Sequence, residues 1–293
     1  MLVSLTQMLH EAEKGSYAVM GLDFLSIHML KIELEVAEEY NTPVIIAYPS
    51  LPIDKFRRFN RFTGRVLKLC DQATVPVCLH LDHGKSVKAC IQAIDAGFTS
   101  VMIDGSSHDF EENVRMTKAV VDAARKKNIS VEAEIGHVGT GKAIVEGSKN
   151  DESLLTDPQE AKRFAEQTGV ECLAVSIGTI HGEYKGEPKI DFERLGEINK
   201  QVPVPLVLHG GSGTGDDNIK QAVSQGIRKI NLFTEFLNPY VAETLSYYKW
   251  NPLRLLLPLN KAKRQKAVIQ PVLKRYFSVS GSIGKGDYSP ALN

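Results

Sequence analysis

The sequence predicts an α/β chain closed into a (β/α)8 barrel, and three observations carry that prediction. Eight short β-rich runs recur along the 293 residues. The stretches between them place apolar residues at helical spacing, and such alternation means a parallel sheet covered by crossover helices. Eight units in this length point to a closed barrel rather than an open doubly wound sheet. No linker, composition shift or internal repeat divides the chain. Residues 1–293 are therefore expected to form a single barrel domain, with 240–293 as C-terminal helices and tail.

In order, MLVSLTQMLHEAEKG reads as a short amphipathic helix. Glu11 and Glu13 stand where a secretory signal would need an uninterrupted apolar stretch. The β-rich runs follow at 17–24 (YAVMGLDF), 43–48 (PVIIAY), 75–83 (VPVCLHLDH) and 100–106 (SVMIDGS). Four more lie at 129–136 (ISVEAEIG), 172–178 (CLAVSIG), 205–211 (PLVLHGG) and 227–233 (IRKINLF). Segments such as SVKACIQAIDAGF and DPQEAKRFAEQTGV supply helices closed by glycine. The apolar stretch from Leu253 to Leu259 is interrupted by Arg254 and Pro258, well short of the roughly 20 residues of a membrane span.

Composition narrows the function. The chain has 35 Lys+Arg against 35 Asp+Glu, 43% hydrophobic and 24% charged residues, as expected of a folded chain and not of a disordered one. Zero net charge argues against a bulk nucleic-acid binder. The basic stretches KFRRFNRFTGR (55–65) and KAKRQK (261–266) read as solvated helix faces. Cys70, Cys78, Cys90 and Cys172 show neither disulfide-scaffold nor zinc-knuckle spacing. Reduced core thiols in a cytoplasmic protein, with no membrane partner, are the expectation.

Polar residues cluster where the runs end: Asp23, Asp82-His83, Asp104-Gly105-Ser106, Glu134, His181, His209 and Asn231. In such a barrel the C-terminal strand ends and their loops build the active site. Any one of them is equally explained by contact with water, but three His and several carboxylates on one rim are a different matter. His83, His181 and His209 could surround a Zn2+ ion and leave a fourth position open. Their wide spacing is no metal signature by itself. The seventh run continues into HGGSGTGDDNIKQAV, where glycines and a helix opening near Asp216 suit an anion, or else make a plain flexible turn. His80 is read as packing within the third run. His108 and His137 lie near the mouth without an assigned role, and His10 and His28 carry no signal.

LHLDHG (79–84), MIDGS (102–106), VEAEIG (131–136), LAVSIGTIHG (173–182), KIDF (189–192), VPLVLHGGSG (204–213) and KINLFTE (229–235) resemble, in register, the class II zinc-dependent ketose-bisphosphate aldolases. Fructose- and tagatose-bisphosphate enzymes both belong to that family. The resemblance spans about residues 75 to 240. It implies a TIM barrel in a homodimer or homotetramer that reversibly cleaves a phosphorylated ketose in carbohydrate metabolism, as in glycolysis. The products would be dihydroxyacetone phosphate and an aldehyde, formed through a zinc-stabilised enediolate. It further implies His83, His181 and His209 as zinc ligands, with Asp104 and Glu134 as secondary metal positions. Asp82 would be the catalytic acid/base. Gly182, Gly210, Gly211, Ser212, Asn231 and Thr234 would hold the phosphate-bearing half, and a monovalent cation (Na+ or K+) is a further candidate.

Three departures from the family pattern bear on function. The loop after the fifth run, HVGTGKAIVEGSKNDESLL (137–155), has Lys142 or Ala143 about where a catalytic Glu should fall. Glu146 is the nearest replacement, with Glu152 behind it, in a stretch whose composition suits a mobile lid. Asp23 stands where the family has Asn. Arg254 is the C-terminal candidate for a distal phosphate, out of clean register. Two other readings stay open. One is a Schiff-base aldolase, for which Lys229 would have to serve although it precedes the apolar residues of the eighth run. The other is a non-catalytic phosphosugar-binding or assembly subunit of the same fold.

Overall fold

The computed structural model describes residues 1–49, 59–140, 154–182, 184, 186–249 and 259–288. Eight parallel strands close a barrel in the order β1-β10-β9-β7-β5-β4-β3-β2. They are β1 (Val19–Asp23), β2 (Val44–Pro49), β3 (Val77–Gly84), β4 (Ser100–Ile103), β5 (Ser130–Ile135), β7 (Cys172–Val175), β9 (Leu206–Leu208) and β10 (Ile227–Leu232). Each falls on one of the eight β-rich runs. The remaining pair, β6 (Gly139–Thr140) and β8 (Ile180–His181), forms a separate two-stranded parallel patch, which the sequence did not signal.

The helices follow the expected rhythm: α1 (Leu5–Gly15), α2 (Ile27–Glu39), α3 (Phe59–Gln72), α4 (Val87–Asp95), α5 (Phe110–Arg125), α6 (Pro158–Thr168), α7 (Phe192–Gln201) and α8 (Asp216–Ser224). Then come α9 (Thr234–Lys249) and α10 (Lys261–Val279). Short polar residues begin them for a local reason. Ser26, Ser86, Asp109, Asp157 and Asp191 each accept a hydrogen bond from a first-turn amide that has no intrahelical partner. Gly169, at φ 68°, ends α6 in the left-handed conformation that a Cβ disfavours.

Alternate strand residues divide the interior in two. Outward side chains such as Met20, Leu22, Ile46, Leu79 and Val101 pack under the helices in the main core. Inward Val19, Ile45, Cys78, Cys172, Ala174 and Val207 fill the bottom of the barrel against Leu5, Met8, Leu9 and Ala12 of α1. The N-terminal helix is thus a plug, and full burial of one such Leu side chain contributes about 1.5–3 kcal/mol. All four cysteines are buried and free. No helix among the described residues is long and apolar enough to cross a membrane.

One sequence reading needs correction here. The basic stretch that opens α10 is not simply solvated: Arg264 pairs with Glu243, and Lys266 reaches Glu35 and Glu39. These pairs join α10 to α9 and α2. Residues 55–58 of the other basic stretch lie outside the described residues.

Candidate active site

Above the apolar plug the barrel interior turns polar, because the inward positions of four strands carry ionisable groups. Glu132 of β5 is at the centre. Its Oε2 accepts from Lys229 Nζ at 2.7 Å, and its Oε1 is 3.0 Å from His209 Nε2. His80 stands beside them, with Nδ1 2.9 Å from Ser100 Oγ and Nε2 3.3 Å from Lys229 Nζ. Burial works against the Lys229 charge, but Glu132 and Asp82 outweigh it and raise the amine above its ordinary range. Lys229 lies within β10, as the eighth run has it, and points into the barrel. Schiff-base chemistry needs a neutral amine, which this ion pair denies it.

The three imidazoles predicted to converge do so at the C-terminal rim. Ring centroids are 4.7 Å apart for His83–His209, 5.0 Å for His83–His181 and 5.8 Å for His181–His209. One nitrogen from each lies within 4.8 Å of the others. The tautomers are set from outside the triangle. Glu132 engages His209 Nε2 and leaves Nδ1 facing the centre. Asp104 Oδ2, 2.9 Å from His83 Nδ1, leaves His83 Nε2 free. His209 Nδ1 and Glu134 Oε2 are both buried without a hydrogen-bond partner, although they lie 3.0 Å apart. Buried polar atoms rarely stay unpaired, and three imidazoles this close together are a donor set that suits a cation.

Electrostatics agree. Burial would lower the basicity of His209, but Glu132 and Glu134 overcome it and raise the ring to about 10, so this corner stabilises positive charge, and a metal ion would take the place of the proton at Nδ1. Burial and the two neighbouring rings lower His181 to about 4, leaving the neutral imidazole that ligates metals.

His83 can face the triangle only because β3 breaks its alternation. Asp82 points inward, so its successor in a regular strand would point away. The register with β4 shifts between Leu81 and Gly84, and His83 adopts φ 50°, rare for a residue with a Cβ. That strain costs on the order of 1–3 kcal/mol and aims two consecutive side chains at one site. Asp82 Oδ1 accepts from Asn231 Nδ2 at 2.9 Å, and Oδ2 lies 3.8 Å from His83 Nε2. Burial raises Asp82, but His83, Lys229, His209 and His80 more than offset it and hold the carboxyl at about 2, ionised. Asp23, also buried, is pushed the other way by burial and by Asp82, well above the carboxylate range.

Gly182, Ser212 and Thr234 line a cleft of about 470 Å³ beside the triangle, with Gly213, Glu235 and Arg275. Gly210 turns at φ 69°, where a Cβ would collide with the Ile180 carbonyl oxygen. The expected row of free amides is only partly present. Gly211 N donates to the Asn231 carbonyl at 3.0 Å, and Gly213 N donates to Glu235 Oε2 at 2.8 Å. The start of α8 carries Asp216 and Asp217, which already answer its dipole. Ser212 Oγ accepts from the amides of Phe233 and Glu235. The hydroxyl proton remains free to donate to an anion. Asn231 sits with Asp82 rather than in this cleft, and its Oδ1 has no partner.

Some candidate groups were not apparent from sequence. Arg275 of α10, the cation among the described lining residues, bonds Asp216 Oδ1 at 2.7 Å and Glu235 Oε1 at 2.6 Å. Glu132 differs from Glu134 in sequence only by lying two residues earlier in β5, and that spacing is its one signal. Glu146, Glu152, Lys142, Ala143 and Arg254 lie outside the described residues.

Residues 3–285 match the family described as class-II fructose-bisphosphate aldolase. The chain is 41% identical over 285 residues to the 6-phospho-5-dehydro-2-deoxy-D-gluconate aldolase of Bacillus licheniformis, covering 97% of this chain and 96% of that one. It is 43% identical over 236 residues to a fructose-bisphosphate aldolase of Geobacillus stearothermophilus, covering 80% and 81%. The crystal structure of the YdjI aldolase from Escherichia coli K12 superposes with a TM-score of 0.84 at 33% identity, over 98% of this chain and 100% of that one.

Proposed function

Since the chain belongs to the class II fructose-bisphosphate aldolase family and is thus a carbon–carbon lyase, we propose that it reversibly cleaves a phosphorylated ketose to dihydroxyacetone phosphate and an aldehyde, with zinc as its metal. The observation that carries this reading is the triangle of imidazoles with Asp82 beside it. His83, His181 and His209 would hold the ion, and the all-nitrogen donor set with an unpaired, buried His209 Nδ1 suits zinc. When bound, zinc would act as a Lewis acid that stabilises negative charge on the ketose oxygens, worth several kcal/mol.

The chain's own residues would do the rest. Asp82, ionised and with Oδ2 free of Asn231, accepts the proton of the substrate hydroxyl as the adjacent carbon–carbon bond breaks. That hydroxyl carbon becomes the aldehyde, and the electron pair of the broken bond stays with the ketose-derived fragment. Asn231 Oδ1, buried and unpartnered, can accept from a hydroxyl of that fragment. Ser212, Thr234 and Arg275, with the turn at Gly210–Gly211 and Gly182, would seat its phosphate and keep the reacting carbons aligned. Glu146 is proposed as the acid that returns a proton to the fragment. The setting would be cytoplasmic carbohydrate metabolism and the enzyme a homo-oligomer.

The relatives name two substrate classes, a ketose bisphosphate and 6-phospho-5-dehydro-2-deoxy-D-gluconate. They share a phosphorylated ketone half and differ in the aldehyde released. The deciding experiment assays cleavage of epimeric ketose mono- and bisphosphates and of the deoxygluconate phosphate, with zinc and with EDTA, on wild type and Glu146→Ala. Cleavage of at least one, abolished by EDTA and restored by zinc, supports the proposal. Zinc and ligand binding without turnover across the panel would leave a phosphosugar-binding subunit instead.

A further inference from the structure

The cleft lined by Ser212 and Thr234 already holds an anion, the carboxylate of Glu235. Three donors converge on it. Its Oε2 accepts from Gly213 N at 2.8 Å and from the Tyr276 hydroxyl, and its Oε1 accepts from Arg275 Nη1 at 2.6 Å. Burial and the carboxylate itself push the Tyr276 hydroxyl above its usual range, so the phenol keeps its proton and donates. A turn amide, a phenol and a guanidinium are donors that suit a phosphate oxygen as well as a carboxylate.

Glu235 stands in the first turn of α9, where an acid is favourable for the helix dipole alone. An acid serving only that purpose would face the amides of its own helix. Glu235 instead reaches the turn after β9 and two side chains of α10. Charge balance points the same way. Arg275 spends Nε on Asp216 Oδ1 at 2.7 Å and Nη1 on Glu235, so one guanidinium faces two carboxylates. A phosphate monoester seated here adds about two further negative charges at neutral pH. The Glu235 side chain is 28% exposed, so its repulsion of that group is only partly screened by water.

We propose that Glu235 is a tethered counter-anion that competes with the substrate's phosphate for the Gly213 amide and Arg275, weakening phosphate binding and turning away when that group is seated. This rests on the phosphate seat proposed above and adds the residue that limits its affinity. Glu235 is a positioning residue in that sense, because it acts through the donors it holds. Weaker binding of a phosphorylated product also favours its release, a step that limits turnover in many enzymes.

The test titrates inorganic phosphate into the full chain by calorimetry, with wild type, Glu235→Gln and Asp217→Asn. Glu235→Gln should bind phosphate about tenfold more tightly than wild type. Asp217 has a fully exposed side chain that pairs with Lys220 at 3.4 Å, so Asp217→Asn removes the same unit charge outside the cleft. Its affinity should stay within about twofold of wild type. A wild-type crystal grown with phosphate should show the Gly213 amide donating to the anion and Glu235 turned to Arg275 alone. That crystal decides the matter if circular dichroism shows Glu235→Gln misfolded. Phosphate bound no more tightly by folded Glu235→Gln would overturn the proposal. So would equal tightening in Asp217→Asn, or Glu235 still on Gly213 beside a bound phosphate. Each of these leaves the phosphate seat in place. No phosphate binding by any of the three proteins would remove the seat itself, and this inference with it.

Discussion

At the scale of single residues, the site is governed by how each polar atom is paired. Asp82 is kept ionised by four neighbouring nitrogen-bearing side chains and keeps one oxygen clear of Asn231. Asp82→Asn should keep that contact and the proposed zinc site but lose the proton acceptor, lowering kcat by about 10²–10⁴-fold. Turnover within twofold of wild type would assign the proton to another group. Glu33 of α2 presents the opposite case, a fully buried carboxyl with no partner for either oxygen. Burial, and secondarily the charge of Asp23, push it well above the glutamate range. With the folded value above the unfolded one, the folded chain keeps a proton that the unfolded chain releases. Stability is therefore full below the ordinary glutamate value and falls as pH rises through the folded value. Glu33→Gln should relieve that fall and gain about 1–3 kcal/mol at pH 8 relative to pH 4.5 in denaturant titrations. The same pH slope in variant and wild type would show that Glu33 is not the cause.

At the scale of elements, three pieces cooperate at the rim. The break in β3 turns consecutive Asp82 and His83 onto one site, and the β8 patch carries His181 across from the end of β7. Helix α10 reaches back to the cleft lined by Ser212 and Thr234. Tyr276 donates to the Gly211 carbonyl and to Glu235, and Arg275 ties Asp216 and Glu235 together. Glu235 holds the Gly213 amide, so a phosphate seated here as proposed would compete with a carboxylate that Arg275 partly neutralises. Arg275→Ala should raise KM for a phosphorylated ketose about tenfold, the equivalent of roughly 1.4 kcal/mol, with kcat within twofold. An unchanged KM would move the phosphate elsewhere along the rim. The eight strand runs and their helices were readable because alternation and capping are local signals. The β6–β8 patch was not, since two-residue strands leave no periodicity.

At the scale of the whole molecule, the barrel separates stability from chemistry along its axis, with α1 and the apolar layer below and the ionisable layer above. A metal that binds only the folded chain adds stability by mass action, about 2.7 kcal/mol at a free concentration one hundred times its Kd. Thermal unfolding of the zinc-loaded protein should therefore shift upward with zinc and downward with EDTA, whereas His181→Ala should not respond. A zinc-independent transition in wild type would argue against a site formed on folding. By itself the sequence determined the closed barrel, the strands that end in His and Asp, and the family, because periodicity and contiguous motifs reside in neighbouring residues. Only the tertiary structure decided that Lys229 is ion-paired under the site and that Glu235 occupies the Gly213 amide. Those pairings join side chains from different strands and helices, and closure of the barrel alone fixes which lone pairs remain for a cation or a substrate.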